Sequence, residues 1–306
     1  MTVMVTGGAG FIGQHLINYF NSMGHTGIIA IDKHTDHVRK NLLELNTFIE
    51  LNLNDYDSVE KVCQEYSVDE VVHLAANSDI QNGALNSEPD FRDTLGSSLN
   101  LSELTNFVGI KKIFFASSSA IFGVRNFAIK KTDSKPKLPI SYYGMAKLAS
   151  EKILSSTAQE KNIVYQCLRF PNVVGPNLTH GLLFDLKKKI ERDPKTLKIL
   201  GNGFQSKPFM HVEDLTKAIY NLWISNLSTT ENIGPVDNIT VREIVQLTCN
   251  AFNVTPDIYY ETTATGWIGD VPHYSYENYP LWFAPKDSIR TSKQSITNAL
   301  EFLPRN

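Results

Sequence analysis

A short apolar segment that runs directly into a cluster of glycines constrains the fold of this chain more than any other feature. Residues 2–6 are bounded at once by glycine, as in a buried strand, and residues 11–23 carry apolar side chains at helical spacing. Between them, Gly8, Gly10 and Gly13 fit the pattern G-x-G-x-x-G, and Gly7 replaces Gly8 in a shifted form of it. Such a turn lets a pyrophosphate approach free N–H groups at the start of a helix. The segment therefore predicts a dinucleotide-binding site.

A second predicted strand, over residues 27–32, ends in an acidic side chain. Asp32 lies 19 residues after Gly13 (32 − 13), the spacing at which a carboxylate meets the adenosine ribose in such units. A carboxylate there repels a 2′-phosphate, so we expect NAD rather than NADP, and the neighbouring Lys33 weakens that preference slightly. An ordinary glycine turn beside a surface aspartate is disfavoured, because strand, helix and acid occur together.

Segments with strand-like and helix-like patterns alternate through the first half of the chain. Further strands are predicted over residues 46–51, 70–76, 112–116 and 163–168, and further helices over 58–66, 89–108 and 141–161. This alternation predicts an α/β protein with a Rossmann-type doubly wound parallel sheet. After Pro171 prolines cluster, and after residue 258 the chain is rich in Tyr, Trp and Pro. We predict an NAD-binding domain over residues 1–170 and a smaller mixed α/β substrate-binding lobe over 171–306, some of whose segments return to the first domain.

Composition excludes several classes of protein. The 306 residues suffice for one large α/β unit or two lobes, and 42% hydrophobic with 20% charged residues is ordinary globular composition. A net charge of −3 indicates neither nucleic acid nor an acidic membrane surface as a partner. Cys63, Cys167 and Cys249 are far apart, so we expect neither disulfides nor zinc. The chain opens with a strand and has no apolar stretch of membrane-spanning length, so we expect a cytoplasmic protein without a signal peptide.

A tyrosine and a lysine four residues apart predict proton chemistry beside the cofactor. Tyr143 and Lys147 share one face of a helix, and a serine cluster follows the fifth predicted strand. A phenol is a weak base at its ordinary pKa near 10, but nearby cations, the ammonium and an oxidised nicotinamide, stabilise the phenolate. The pattern Y-x-x-x-K alone is more often a surface tyrosine with a solvated lysine, and the dinucleotide site and serine cluster decide against that here. Tyr142 is an alternative base that lacks a lysine four residues on.

These motifs together resemble the extended short-chain dehydrogenase/reductase family, in particular its nucleotide-sugar epimerases and dehydratases. The resemblance covers nearly the whole chain. It is carried by V-T-G-G-A-G-F-I-G (5–13), H-L-A-A (73–76), S-S-S-A-I-F-G (117–123), L-R-F-P-N-V-V-G-P (168–176), and G-N-G (201–203) followed by F-M-H-V-E-D (209–214). Counting back from Gly123 in the third of these segments places the family's catalytic serine at Ser118.

The resemblance implies three sets of site residues and no metal. The catalytic residues are Ser118, Tyr143 and Lys147. The residues implied to bind NAD are Gly7, Gly10, Phe11, Ile12, Gly13, Asp32, Lys33, Asn52, Leu53, Leu74, Ala75, Ala76, Ser117, Tyr143, Lys147 and Phe170. The residues implied to bind the substrate are Ser78, Ser118, Ser119, Asn172, Lys207 and Asp270.

The activity that the resemblance implies is epimerisation of a nucleotide-sugar at C4, with a UDP-sugar as the default substrate. The 4,6-dehydratases of the family carry Asp-Glu after the catalytic position, whereas Ser119 and Ala120 stand here, so that elimination is disfavoured. The serine pattern is similar to UDP-glucose 4-epimerases. Tyr143 would take the 4-hydroxyl proton, hydride would pass to NAD, and a transient 4-keto sugar would turn before hydride returns. The helices over 89–108 and 141–161 would pair in a homodimer.

Several positions depart from the family pattern. Lys207 stands for a phosphate-binding arginine, which keeps the charge but loses the two-pronged hydrogen bonding of a guanidinium. Trp267 stands for a later arginine, Asn52 for an aspartate that contacts adenine, and Phe122 for a tyrosine. These changes bear on which nucleotide and sugar bind rather than on the redox chemistry.

Three other functions remain open from the sequence. One is a nucleotide-sugar 4-dehydrogenase or 4-keto reductase, which would exchange its cofactor and change NADH stoichiometrically. Another is a decarboxylase, or a dehydratase with a different acid–base set, which would lose carbon dioxide or water from the product. The third is a non-catalytic NAD-sensing protein on the same fold. The complete set of Ser118, Tyr143 and Lys147 argues against this last function.

Overall fold

A parallel sheet with helices on both faces forms the core of the protein. The computed structural model describes residues 2–77, 79–124, 128–130, 138–277 and 289–303. Its strands are β1 (Val3–Thr6), β2 (Ile29–Asp32), β3 (Thr47–Glu50), β4 (Glu70–His73), β5 (Lys112–Ser118), β6 (Val164–Phe170), β7 (Asn172–Val174), β8 (Thr196–Ile199), β9 (Ser206–Lys207), β10 (Phe209–His211), β11 (Thr229–Asn232), β12 (Ile239–Thr240) and β13 (Asp257–Tyr260).

The helices follow the strands in the predicted alternation. They are α1 (Phe11–Ser22), α2 (Lys40–Leu43), α3 (Tyr56–Glu65), α4 (Ile80–Gly83), α5 (Ser97–Leu104), α6 (Tyr142–Lys161), α7 (Leu182–Arg192), α8 (Val212–Ser225), α9 (Val241–Phe252) and α10 (Ser292–Glu301). A π-helix (Asp90–Gly96) precedes α5, and a 3₁₀ turn (Ser119–Phe122) follows β5. Within the described ranges, none of these helices combines the length and apolar composition that a membrane span requires.

Seven parallel strands among the described residues form one sheet in the order β11-β6-β5-β4-β1-β2-β3. The chain runs outward from β1 through β2 to β3, then returns to the other side of β1 for β4. This reversal opens a crevice at the carboxyl ends of β1 and β4, the position at which doubly wound sheets bind ligands. The prediction of a Rossmann-type fold is confirmed.

The helices α1 and α6 place the glycine loop and the Tyr143–Lys147 pair, α1 through its buried face and α6 through its capped ends. The apolar side chains of α1 at helical spacing, Leu16, Ile17 and Phe20, are buried against the sheet. The helix α6 begins where the Ser141 hydroxyl accepts a hydrogen bond from the Gly144 N–H at 3.1 Å. It ends at Asn162, whose left-handed backbone (φ 55°) terminates the helix.

The predicted helix over residues 89–108 differs from the structure, because its first part is a π-helix. Asp90 and Thr94 lie four residues apart in this π-helix, and both are fully buried. The Asn77 side-chain amide donates to Asp90 Oδ1 at 2.8 Å, and the Asn77 N–H donates to Thr94 Oγ1 at 3.0 Å. The π turn therefore fixes the segment that follows β4.

The second half of the chain contributes to two packed regions. A smaller lobe combines α7, α9 and α10 with the parallel pair β8–β13 and the antiparallel pair β9–β12 around its own apolar cluster. Other segments pack with the large sheet, since β11 pairs with β6 and α8 packs on α1 through Leu215, Tyr220 and Trp223. The cysteines Cys63, Cys167 and Cys249 are buried and unlinked.

Candidate active site

One cavity of about 1030 Å³ runs along the carboxyl edge of the sheet and into the smaller lobe. Every predicted site residue that the structure describes lines this cavity, from Gly7 at the glycine loop to Asp270 at the far end. Ser78 lies outside the described residues. The structure thus gathers the predicted cofactor, catalytic and substrate residues around one space, although their individual binding roles remain predictions.

The glycine loop is built for close backbone approach. Gly7 has φ +68°, and a Cβ there would lie 2.9 Å from the Ala75 nitrogen, so a larger residue is excluded by conformation and by space. A Cβ on Gly13 would lie 2.3 Å from the Gly7 oxygen. Gly10 precedes the first residue of α1 and offers no side-chain cap, so the first-turn amides of α1 at the cavity are open to an anion. The loop fits the pyrophosphate of NAD.

Asp32 is held in place at the end of β2. Its Oδ2 accepts a hydrogen bond from the Ala9 N–H at 3.1 Å, and its Oδ1 accepts one from the Lys33 N–H at 2.7 Å. Burial raises the pKa of the Asp32 carboxyl above its ordinary value, and these backbone hydrogen bonds oppose that shift. The carboxylate is thereby fixed beside the glycine loop, where an adenosine ribose would place its hydroxyls.

Lys147 is a buried residue in the wall of the cavity. Its Nζ donates to the Ala116 carbonyl at 2.7 Å and lies 4.8 Å from the centre of the Phe115 ring and 5.9 Å from the centre of the Tyr143 ring. Burial lowers the pKa of the Lys147 ammonium to about 8, although the Glu151 carboxylate opposes this. The cation is therefore positioned by β5 and next to the predicted base.

Tyr143 and Ser118, which the family resemblance implies act on one substrate oxygen, lie together, and a hydrogen bond joins their side chains. Burial raises the pKa of the Tyr143 phenol to about 12, and the hydrogen bond with Ser118 opposes the shift. The Ser118 hydroxyl also accepts from the Ala120 N–H at 3.1 Å, which fixes its orientation at the start of the 3₁₀ turn. The strand β5 extends to Ser118 because it stays paired with β6 up to Phe170. A substrate hydroxyl at this point would meet both a base and a hydrogen-bond partner.

A buried ion pair that the sequence analysis did not identify lies behind these residues. Glu151 and Arg169 are only 4% and 3% exposed, and Arg169 Nη2 and Nε donate to the two carboxylate oxygens at 2.6 and 2.8 Å. The Ser117 hydroxyl donates to the same carboxylate. Glu151 stands one turn beyond Lys147, so the sequence signal was a third polar residue at i, i+4 spacing on α6. The pair anchors α6 to the ends of β5 and β6.

At the far end of the cavity, Lys207 forms an ion pair with Asp270. Asp270 Oδ2 also accepts from the Gly266 N–H at 3.0 Å, and the Lys207 ammonium lies 5.1 Å from the centre of the Trp267 ring. Two of the positions that depart from the family pattern, Lys207 and Trp267, therefore have side chains in contact with each other. The charge of Lys207 is balanced in part before any anion binds.

Tyr274 is a second residue that the sequence analysis did not single out. Its hydroxyl shares hydrogen bonds with the Ser119 side chain and with the backbone of Asn172, and it lines the cavity beside both. Burial raises the pKa of this phenol to about 12, so it stays protonated at neutral pH. The tyrosine-rich composition after residue 258 was the available signal.

Several known proteins are similar to this chain over most of its length. The UDP-glucose 4-epimerase of Lacticaseibacillus casei is 29% identical over 266 residues, covering 80% of each chain. GDP-mannose 3,5-epimerase 1 of Oryza sativa subsp. indica is 26% identical over 261 residues, covering 81% of this chain and 68% of that protein. The crystal structure of Thermus thermophilus UDP-glucose 4-epimerase in complex with NAD is 25% identical, with a TM-score of 0.82 over 99% of this chain and 98% of that one.

The family comparison extends over most of the chain. A model described as the NAD dependent epimerase/dehydratase family matches residues 3–234. That span includes the glycine loop, the helix α6 and Lys207, and the family description agrees with the predicted cofactor, NAD. The chain therefore belongs to the NAD dependent epimerase/dehydratase family, within the extended short-chain dehydrogenases/reductases.

Proposed function

We propose that this protein is an NAD-dependent epimerase that inverts C4 of a UDP-sugar. The observation that carries the proposal is that the proton-transfer residues and the glycine loop share one cavity, so that a sugar carbon can face both a base and a nicotinamide. The relatives named as UDP-glucose 4-epimerases support UDP as the nucleotide and C4 as the carbon that is inverted. The GDP-mannose 3,5-epimerase relative indicates that the family framework also serves other nucleotides.

Each catalytic residue has a distinct role in the proposal. Bound NAD supplies a hydride acceptor that becomes the hydride donor in the second half of the reaction. Tyr143 takes the proton of the 4-hydroxyl group and later returns it, and Ser118 hydrogen-bonds the same oxygen. The Lys147 ammonium, 5.9 Å from the centre of the Tyr143 ring, stabilises the phenolate that forms when Tyr143 gives up its proton. Because the hydride returns to the sugar, each turnover leaves the cofactor in its starting state.

The diphosphate of the substrate is assigned to the end of the cavity lined by Asn172 and Lys207, with Asp270 beside them. Lys207 would exchange part of its ion pair with Asp270 for the phosphate oxygens. Because a lysine is a point charge without the fork of a guanidinium, this contact fixes the phosphate less strictly than an arginine would.

We also propose that the protein works as a cytoplasmic homodimer. The π-helix and α6 expose Phe91 and Tyr142, whose rings are in edge-to-face contact at 5.9 Å, and Leu99, Phe107 and Met145 are exposed on or near the same helical segments. A second copy packed on these helices would cover this apolar surface. Light scattering after size-exclusion chromatography measures the mass, and a monomer at micromolar concentration contradicts the dimer.

The experiment that tests the function is proton NMR of the purified protein with UDP-, dTDP-, GDP- and CDP-sugars and no added cofactor. A new anomeric signal from a product of equal mass establishes epimerisation with retained NAD and identifies the sugar. Turnover only after NAD or NADH is added indicates a dehydrogenase or reductase, and loss of water or carbon dioxide indicates a lyase. The Tyr143→Phe variant is the control, because activity that survives in it does not use the proposed base.

A further inference from the structure

The end of the cavity beside Asp32 is bridged by an ion pair between two separate elements. Lys33 follows β2, and Asp93 lies in the π-helix that follows β4, 60 residues later (93 − 33). Lys33 Nζ and Asp93 Oδ1 are 2.6 Å apart, and both side chains line the cavity. The contact therefore joins opposite walls of the cavity at the adenosine end.

Asp93 is fixed independently of Lys33. Burial opposes its ionisation, but hydrogen bonds from Arg92 and Lys33 hold the pKa of Asp93 below its ordinary value. The Arg92 guanidinium donates from Nε to Oδ1 at 2.9 Å and from Nη2 to Oδ2 at 3.1 Å, and Arg92 Nη1 pairs with Glu88 at 2.7 Å. Lys33, which is 36% exposed against 17% for Asp93, is the member of the pair that can move away.

Two further contacts join the same walls. The Asn100 side-chain amide donates to the Leu53 carbonyl at 2.8 Å, which ties α5 to the loop after β3. A Cβ on Gly96 would lie 2.8 Å from Asn54 Oδ1, so the helical segment and this loop are in direct contact. The ion pair extends this line of contacts from the loop after β3 to the loop after β2.

We propose that the Lys33–Asp93 ion pair is a clasp that must open before the dinucleotide can enter or leave. The inference rests on the proposed function, in which one NAD molecule serves many turnovers and slow release is an advantage. It assigns a role to Asp93 that the sequence did not indicate, and it changes the role of Lys33. The Lys33 charge is directed to Asp93 across the cavity, so it acts on the rate of cofactor exchange more than on the choice between NAD and NADP.

The test is the kinetics of NADH release and binding, with no sugar present. Protein loaded with NADH is mixed with excess NAD, and the loss of NADH fluorescence gives the release rate; mixing empty protein with NADH gives the binding rate. The variants are Lys33→Gln, Asp93→Asn and the double variant. The matched control is Lys111→Gln, which removes an exposed ion pair with Asp69 of similar length, 2.7 Å, at a site that does not line the cavity.

We expect each single variant to release NADH about two- to five-fold faster, the range that a partly exposed ion pair provides. Binding accelerates by a similar factor, because a clasp hinders passage in both directions. The double variant is no faster than the quicker single variant, and added salt speeds release from the native protein but not from the double variant. The control variant behaves like the native protein.

Two results would overturn the clasp. Release that is unchanged in both single variants, or insensitive to salt in the native protein, removes the ion pair from the exchange pathway. If Lys33→Gln releases NADH faster but binds it at an unchanged rate, Lys33 contacts the dinucleotide directly and does not act as a clasp. These measurements use no sugar substrate, so they test the clasp separately from the proposed function. They can refute the clasp in a working epimerase, and they can support it in a protein that shows no epimerisation.

Discussion

The buried pair of Glu151 and Arg169 allows a sharp prediction about stability. Replacing Glu151 by Gln keeps the shape of the side chain but removes the negative charge of Glu151 from beside the Arg169 guanidinium, which is 3% exposed. Removing one partner of a buried ion pair costs about 3–5 kcal/mol, because the remaining charge is desolvated and uncompensated. Since each kcal/mol shifts the midpoint of a large domain by roughly 2–4 °C, the thermal midpoint should fall by roughly 6–20 °C.

The assay is chemical and thermal unfolding followed by circular dichroism, with one control and one rescue. The control is Glu88→Gln, which breaks an ion pair with Arg92 whose side chains are 56% and 49% exposed, so solvent screens it and its loss should leave the midpoint of unfolding nearly unchanged. The rescue replaces both Glu151 and Arg169 by Met. Apolar replacement of a buried pair is often neutral, so the double variant should be more stable than either single variant.

The prediction is refuted if Glu151→Gln is no more destabilising than Glu88→Gln. It is also refuted if the double methionine variant loses as much free energy of unfolding as Glu151→Met and Arg169→Met lose together. The two charges would then act independently. A stable double variant with reduced turnover and intact NAD binding would assign the pair to the alignment of α6 and Ser117 at the active site.

Four further outcomes can be measured directly. The Tyr143→Phe variant should lose turnover by roughly 10²- to 10⁴-fold in the NMR assay while NAD stays bound. Gly13→Ala should purify without NAD, seen by chromatography of the released nucleotide, because its Cβ would lie 2.3 Å from the Gly7 oxygen. Burial lowers the pKa of His73 to about 3, so the unfolded state alone binds this proton between about pH 6.5 and 3. The free energy of unfolding should therefore fall as pH falls through that window, by up to about 1.4 kcal/mol per pH unit. Its dependence on pH should be weaker in the His73→Asn variant. Burial lowers the pKa of Lys147 to about 8, so turnover that needs the ammonium should fall as pH rises through about 8 in a pH–rate profile.

The parts of the site that the sequence predicted are those encoded by local spacing. The glycine loop needs its strand and helix on either side, and Asp32 ends the very next strand, so one short segment specifies both. Tyr143 and Lys147 are one helical turn apart, which alone places them on the same face. The structure shows each of these groups close together in space, because residues near one another in the chain determine them, and their binding and catalytic roles stay predictions.

The parts that the sequence did not reveal depend on contacts between distant residues. The partners of Glu151 lie on β5 and β6. Asp93 meets Lys33 because the chain, after adding β2 and β3 on one side of β1, returns to add β4 on the other side. The ion pair of Lys207 with Asp270 is likewise set by a loop that returns from 63 residues further along the chain. The π-helix before α5 was also missed, since residues at helical spacing do not distinguish an α turn from a π turn. Spacing gives no information on such pairs until the topology is known.

The pairing of β11 with β6 has a consequence for how the protein is made. During synthesis β6 is complete at Phe170, but its outer edge stays unpaired until Thr229–Asn232 has emerged, about sixty residues later. An open edge of a parallel strand is a template for pairing with another chain. A fragment that stops near residue 170 would retain this edge permanently and would also lack α8, which covers α1. While the segment between Phe170 and Thr229 is translated, the edge of β6 that β11 will cover is therefore open to pairing with another chain.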